Sequence, residues 1–174
     1  MKLIVANSTE EMAKLSAKQA ADVLNAAIAK KGSARLLLST GASQLEFFKE
    51  FVKQDVAWHK VEMFHLDEYV GISPDHPASF NNYLTKRFVE KVLPGKVHLI
   101  CGLDDPFKTI AKLTELVNER EIDLGMIGIG ENAHIAFNDP PADFNDPRSY
   151  KIVTLAPRCL QQQVGEGWFK SVDD

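Results

Sequence analysis

Short apolar runs alternate along this chain with stretches that carry helix signals, and this alternation constrains the fold more than any other feature. The runs cover residues 2–6, 35–39, 61–66, 96–100, 122–129 and 150–156. Each is rich in Val, Ile, Leu and Phe, and none shows the strict in/out alternation of a sheet with one wet face. Runs of that kind read as strands covered on both sides, which is the situation in a parallel sheet. The intervening segments supply helices. Ser8 stands three residues before Glu11, the spacing of a capping box, and the helix it opens runs to Lys31 and stops at Gly32. Further helices are expected up to about Lys53, over residues 79–92, and from Asp105 and Pro106 to near Arg120. Proline suits the first helical position because its missing N–H would have no partner there. The expected fold is therefore α/β: a Rossmann-like, doubly wound, mostly parallel sheet with helices on both faces. One domain spanning residues 1–174 is expected. The closing stretch "VGEGWFKSVDD" has no terminating element, so the C-terminal part is expected to be truncated.

In open parallel sheets, ligands bind outside the carboxyl ends of the strands. Three segments occupy such positions, and each has a bland reading beside a functional one. After the second run comes "STGAS". Here Ser39, Thr40, Gly41, Ala42 and Ser43 could cradle an anion at a helix N-terminus, or form an ordinary capped turn. The lysine and spacing of a nucleotide P-loop are missing. After the third run come Asp67 and Glu68. A carboxylate there can act as a general base, or it can cap the next helix. His76, ahead of Pro77, reads as a loop residue.

The third segment is "GIGENAHIAFNDPP". Gly128, Gly130 and Ala133 formally match the dinucleotide fingerprint. Pro140 and Pro141 forbid the helix that the fingerprint needs, and the run at 150–156 ends without the required acid. The glycines instead let backbone approach a ligand closely. His134 supplies the imidazole of this loop, the side-chain type suited to moving protons at physiological pH, and Asn132, Asn138 and Asp139 are near enough in sequence to orient it.

Composition enters by exclusion. Twenty basic and 24 acidic side chains are interspersed and give a net charge of −4. No basic cluster suggests a nucleic-acid partner. No run is long enough to span a bilayer, and the N-terminus lacks a signal-peptide pattern. A cytoplasmic location is expected. Cys101 and Cys159 sit in no metal or redox spacing.

Taken together, "LDEYVGISPDHPASF" and "IGIGENAHIAFNDPP", supported by "STGAS" and "QQQVGEGWF", resemble the glucosamine-6-phosphate deaminase family. That family lies within the larger group that includes 6-phosphogluconolactonases. The resemblance extends over essentially the whole chain in the same order. It implies that glucosamine 6-phosphate and water become fructose 6-phosphate and ammonia. Asp67 would be the base moving a proton between C2 and C1, and His134 the acid/base that opens the sugar ring. Asn132 and Asp139 would support His134, the "STGAS" loop would belong to the phosphate site, and Glu68 and Gly130 would contact substrate. No metal or organic cofactor is implied; the partner is a small sugar phosphate, and a homo-oligomer is compatible with it. The chain departs from the family pattern at Asn132 and Asp139, where many members carry Asp and Glu. Gln163 stands near the position of a phosphate-gripping arginine, with Arg158 or Lys151 as conceivable substitutes. The lactonase branch looks less similar, since Glu68-Tyr69 and Ala133-His134-Ile135 replace its typical motifs. A lactonase-like hydrolase and a non-catalytic sugar-phosphate-binding regulator remain the alternatives.

Overall fold

The computed structural model describes residues 3–130, 132–165 and 167–171. Helix α1 (Thr9–Lys31) begins where Ser8 Oγ accepts the Glu11 N–H at 3.1 Å. The Glu11 carboxylate reaches back to the Asn7 N–H at 2.7 Å, one residue earlier than a standard capping box. Gly32, at φ 81°, closes the helix and donates to Ile28 O. The buried face of α1 is almost all alanine: Ala13, Ala17, Ala20, Ala21 and Ala27, with Leu24. Small side chains let the helix approach the three phenylalanines of α2 (Leu45–Phe51), which enters through a 3₁₀ turn at Ala42–Gln44.

Four parallel strands form the sheet: β1 (Ala34–Leu38), β2 (Val61–His65), β3 (Lys96–His98) and β4 (Leu124–Met126), in the order β3-β2-β1-β4. One face of the sheet carries Ala34, Leu36, Leu38, Val61 and Met63. They bury against α1, α2 and the helical run α3 (Phe80–Leu84), π-turn (Thr85–Val89) and α4 (Glu90–Val92). The other face carries Arg35, Glu62, Phe64 and His98, which is not an apolar set. Arg35 is fully buried, pairs with Glu62 at 3.0 Å, and lies over the Phe64 ring. Its guanidinium also donates to the carbonyls of Leu116, Val117 and Arg120. These lie at the C-terminal end of α5 (Pro106–Asn118), where a helix dipole favours a cation. Helices therefore cover both faces, as the apolar runs imply. The chain winds one way from β1 to β3 and the other way to β4. The order reverses between β1 and β4, and a ligand crevice is expected outside their carboxyl ends.

Among the described residues, two expected strands are not formed. In the first, residues 3–6 pair with no strand, and Leu3 and Val5 are 79% and 82% exposed; Lys2 lies outside the described residues. In the second, residues 150–156 also join no ladder. Apolar and β-branched content favours a pleated surface only when a neighbour supplies the hydrogen bonds. The second run is held instead by single contacts, Tyr150 OH to His65 O at 2.9 Å and the Ala156 N–H to Asp139 at 3.0 Å. Helix α6 (Pro157–Gly165) follows. No helix among the described residues is long and apolar enough to cross a membrane.

Candidate active site

Beyond the ladder bonds between β1 and β4, one hydroxyl ties the carboxyl end of their seam. Ser39 Oγ donates to Met126 O at 3.2 Å and accepts from the Gly128 N–H at 2.9 Å and the Gln44 amide at 2.7 Å. Ser39 is buried, and these three hydrogen bonds hold the turn against β4. Gly41, at φ 150°, allows the turn that follows, and its carbonyl accepts from Tyr83 OH at 3.0 Å. Ala42 and Ser43 are exposed beyond it, with Thr40 partly buried.

β2 delivers Asp67. Burial first, and the adjacent Glu68 charge second, raise the Asp67 carboxyl to a pKa of about 7. Among the described residues, no donor hydrogen-bonds it. Tyr150 stands close enough that burial and the Asp67 charge together push its phenol up to about 12. Upstream, His65 is fully buried and driven down to about 3, hence neutral. Glu68 is held by four donors. Its carboxylate accepts from Ser79 Oγ (2.8 Å) and from the N–H groups of Phe80 (3.1 Å), Asn81 (2.7 Å) and Tyr69 (3.0 Å). It caps α3 and thereby fixes the loop after Asp67.

The third segment wraps around His134. Ala133, Ala136 and Phe137 all have positive φ, a concentration of backbone strain of the kind found at functional loops. A Cβ on Gly130 would land inside the imidazole, so glycine is what lets the ring lie flat on the backbone. His134 Nδ1 is 2.6 Å from Asn132 Oδ1 and 3.1 Å from Asp139 Oδ1. The Asn132 amide donates to Asp139 Oδ1 at 2.7 Å. Asn132 Oδ1 must then be an acceptor, so Nδ1 carries the hydrogen and Nε2 presents the lone pair when the ring is neutral. Burial lifts the Asp139 pKa, but the Asn132 amide, the Ala156 N–H and His134 outweigh it and hold the carboxyl below its ordinary value. Asn132, His134 and Asp139 thus form one hydrogen-bonded cluster.

Aromatic contacts dock this loop on the Asp67 segment. The His134 and Phe137 centroids are 5.7 Å apart, Phe137 and Tyr69 5.5 Å, and Tyr69 and Phe80 4.9 Å. Tyr69 OH donates to Gln163 of α6 at 2.8 Å, which occupies the residue standing near the expected phosphate arginine. Lys151 is likewise engaged, by Asp146 at 3.0 Å. A cavity of about 1000 Å³ opens here, walled by Asp67, Tyr69, Asn132, Ala136, Phe137 and Tyr150 among others. His134, its side chain 10% exposed, sits behind that wall. The 39–43 turn lies at the β1–β4 seam and does not line the cavity. Sequence reasoning missed Tyr150, which it assigned to a strand, and Cys159. One ligand atom each from His134, Asp139 and Cys159 lie within 4.8 Å of one another; sequence spacing could not have shown this.

Comparison with known proteins identifies the family. The family model for glucosamine-6-phosphate isomerases/6-phosphogluconolactonase matches residues 7–158. A glucosamine-6-phosphate deaminase of Geobacillus sp. (strain WCH70) is 33% identical over 182 aligned residues, covering 100% of this chain and 69% of that protein. One from Hahella chejuensis is 31% identical over 161 residues, covering 88% of this chain and 60% of that protein. A solved structure, described as a monomeric glucosamine-6-phosphate deaminase and a missing link of the NagB superfamily, superposes with a TM-score of 0.86 at 27% identity. It covers 100% of this chain and 72% of that one. The chain thus spans 60–69% of the length of these two curated relatives.

Proposed function

This chain belongs to the glucosamine-6-phosphate isomerase/6-phosphogluconolactonase family, and from that premise we propose that it carries the proton-transfer groups of an amino-sugar-phosphate deaminase. The substrate is glucosamine 6-phosphate. His134 Nε2 passes a proton between the anomeric hydroxyl and the ring oxygen, and the pyranose opens. Asp67 removes the C2 proton and returns it to C1. The resulting C2 imine takes up water and releases ammonia, leaving fructose 6-phosphate. Thr40, Gly41, Ala42 and Ser43, at the adjoining β1–β4 seam and outside the cavity wall, receive the phosphate, and Gly130 lets the substrate and the imidazole come close.

The observation that carries this reading is the Asp67 carboxyl in a cavity wall with a pKa raised to about 7. A base works best when its pKa lies near the working pH, and each positioned proton transfer contributes about 10²–10⁴ in rate. The neighbouring Asn132–His134–Asp139 cluster supplies a second proton carrier in a fixed tautomer. Incubation with glucosamine 6-phosphate, with ammonia and ketose phosphate measured together, tests the reading. Equimolar formation of both is expected. Hydrolysis of 6-phosphogluconolactone with no ammonia from the amino sugar would replace this reading with the lactonase one.

A further inference from the structure

The donor cluster at His134 has a composition that proton transfer alone does not use. Cys159 is 2% exposed and sits in the first turns of α6. The start of that helix is fastened to the histidine loop by the Ala156 N–H, which donates to Asp139 Oδ2 at 3.0 Å. This tether holds the start of the helix, and with it the thiol, near the imidazole–carboxylate pair. A ring nitrogen of His134, a carboxylate oxygen of Asp139 and Cys159 Sγ then lie within 4.8 Å of one another. Ligands on one tetrahedral zinc are ~3.5 Å apart, given metal–ligand distances of about 2.0–2.3 Å. The difference is about 1 Å, small against the reach of three rotatable side chains.

We propose that His134, Asp139 and Cys159 form a binding site for a borderline-soft divalent cation, zinc in particular, and that its occupancy withdraws His134 from proton transfer. The second half rests on the proposed function; the first stands on the donor geometry alone. Thiolate, imidazole and carboxylate together match zinc or cobalt, whereas magnesium and calcium prefer sets made only of oxygen. Asn132 already orients both His134 and Asp139, the supporting arrangement that metal ligands commonly have. Binding releases the thiol proton to solvent. Three protein ligands leave a fourth position for water, so the ion is exchangeable and not a structural closed site.

The test is a titration of the full chain with cobalt(II), read by the thiolate-to-metal charge-transfer absorption. A band saturating at one equivalent is expected. It should vanish in Cys159→Ser, persist in Cys101→Ser, and survive excess magnesium. Zinc should raise the melting temperature of the wild type and of Cys101→Ser but not of Cys159→Ser, because a ligand stabilises only the fold that binds it. Far-ultraviolet circular dichroism checks that each variant is folded. Absence of the band, or its persistence in Cys159→Ser, overturns the site. In the turnover assay, stoichiometric zinc should inhibit the wild type, chelator should restore it, and Cys159→Ser should resist inhibition by at least ~10-fold. A cobalt band without zinc inhibition overturns the second half and keeps the first. Turnover without any cobalt band overturns the site and leaves the function standing.

Discussion

At the scale of single residues, the site depends on two atypical environments. Asp67 has a folded pKa of about 7 against an ordinary 3.8. Between those values the native state holds a proton that the unfolded chain has released. Stability contributed at this position therefore falls as pH rises through that window. Asp67→Asn should be more stable than the wild type by a margin that grows from pH 4 to pH 7 and then levels off. A few degrees in melting temperature, measured by calorimetry across that range, is the expected scale. In the wild type, kcat/KM should rise with pH through about 7, because the base must be ionised. Gly130 is the other such position. Its missing Cβ is space that the imidazole fills. Gly130→Ala should push the ring aside, lowering kcat by at least ~10-fold through misplacement while the melting temperature drops little. A side chain yields more readily than backbone, so the structural penalty stays small. Asp67 and His134 stand out in the sequence because each follows an apolar run, at the kind of position where ligands bind in such sheets. The capping role of Glu68 does not, since only the fold shows four donors converging on its carboxylate.

At the scale of elements, the sequence announced four strands well and two wrongly. The runs that became β1, β2, β3 and β4 and those at 2–6 and 150–156 share composition. They differ in whether a neighbour lies alongside, and one-dimensional pattern does not carry that information. Helices were easier because their signals are local: Ser8 with Glu11, Gly32, Ser79, and Asp105 with Pro106 all sit at the ends of helical segments. The β1–β4 seam shows what a single hydroxyl can hold. Ser39→Ala would leave the Gly128 N–H and the Gln44 amide without their acceptor. Each buried unpaired donor costs about 1–3 kcal/mol. We expect a loss of that order in urea denaturation, together with faster amide exchange at Gly128.

At the scale of the whole molecule, the fold's less obvious requirement is Arg35. A strand that looks apolar carries a fully buried cation, made tolerable by Glu62 from β2 and by carbonyls at the end of α5. Those partners lie 27 to 85 residues away in sequence, which is why no local reading finds them. The same long reach brings the three loop segments together. Ser39 binds the β4 loop, Tyr69 packs on Phe137, and α6 fastens both the histidine loop, through Ala156, and Tyr69, through Gln163. The central claim is that Asp67 and His134 act on one sugar phosphate, in different steps. Its most direct test follows deuterium in [2-²H]glucosamine 6-phosphate by NMR, in the wild type, Asp67→Asn and His134→Gln. The account predicts loss of the C2 label to solvent in the wild type and none in Asp67→Asn, although Asp67→Asn still binds the sugar phosphate. In His134→Gln, exchange should be restored by an open-chain analogue. Undiminished C2 exchange in Asp67→Asn would contradict it.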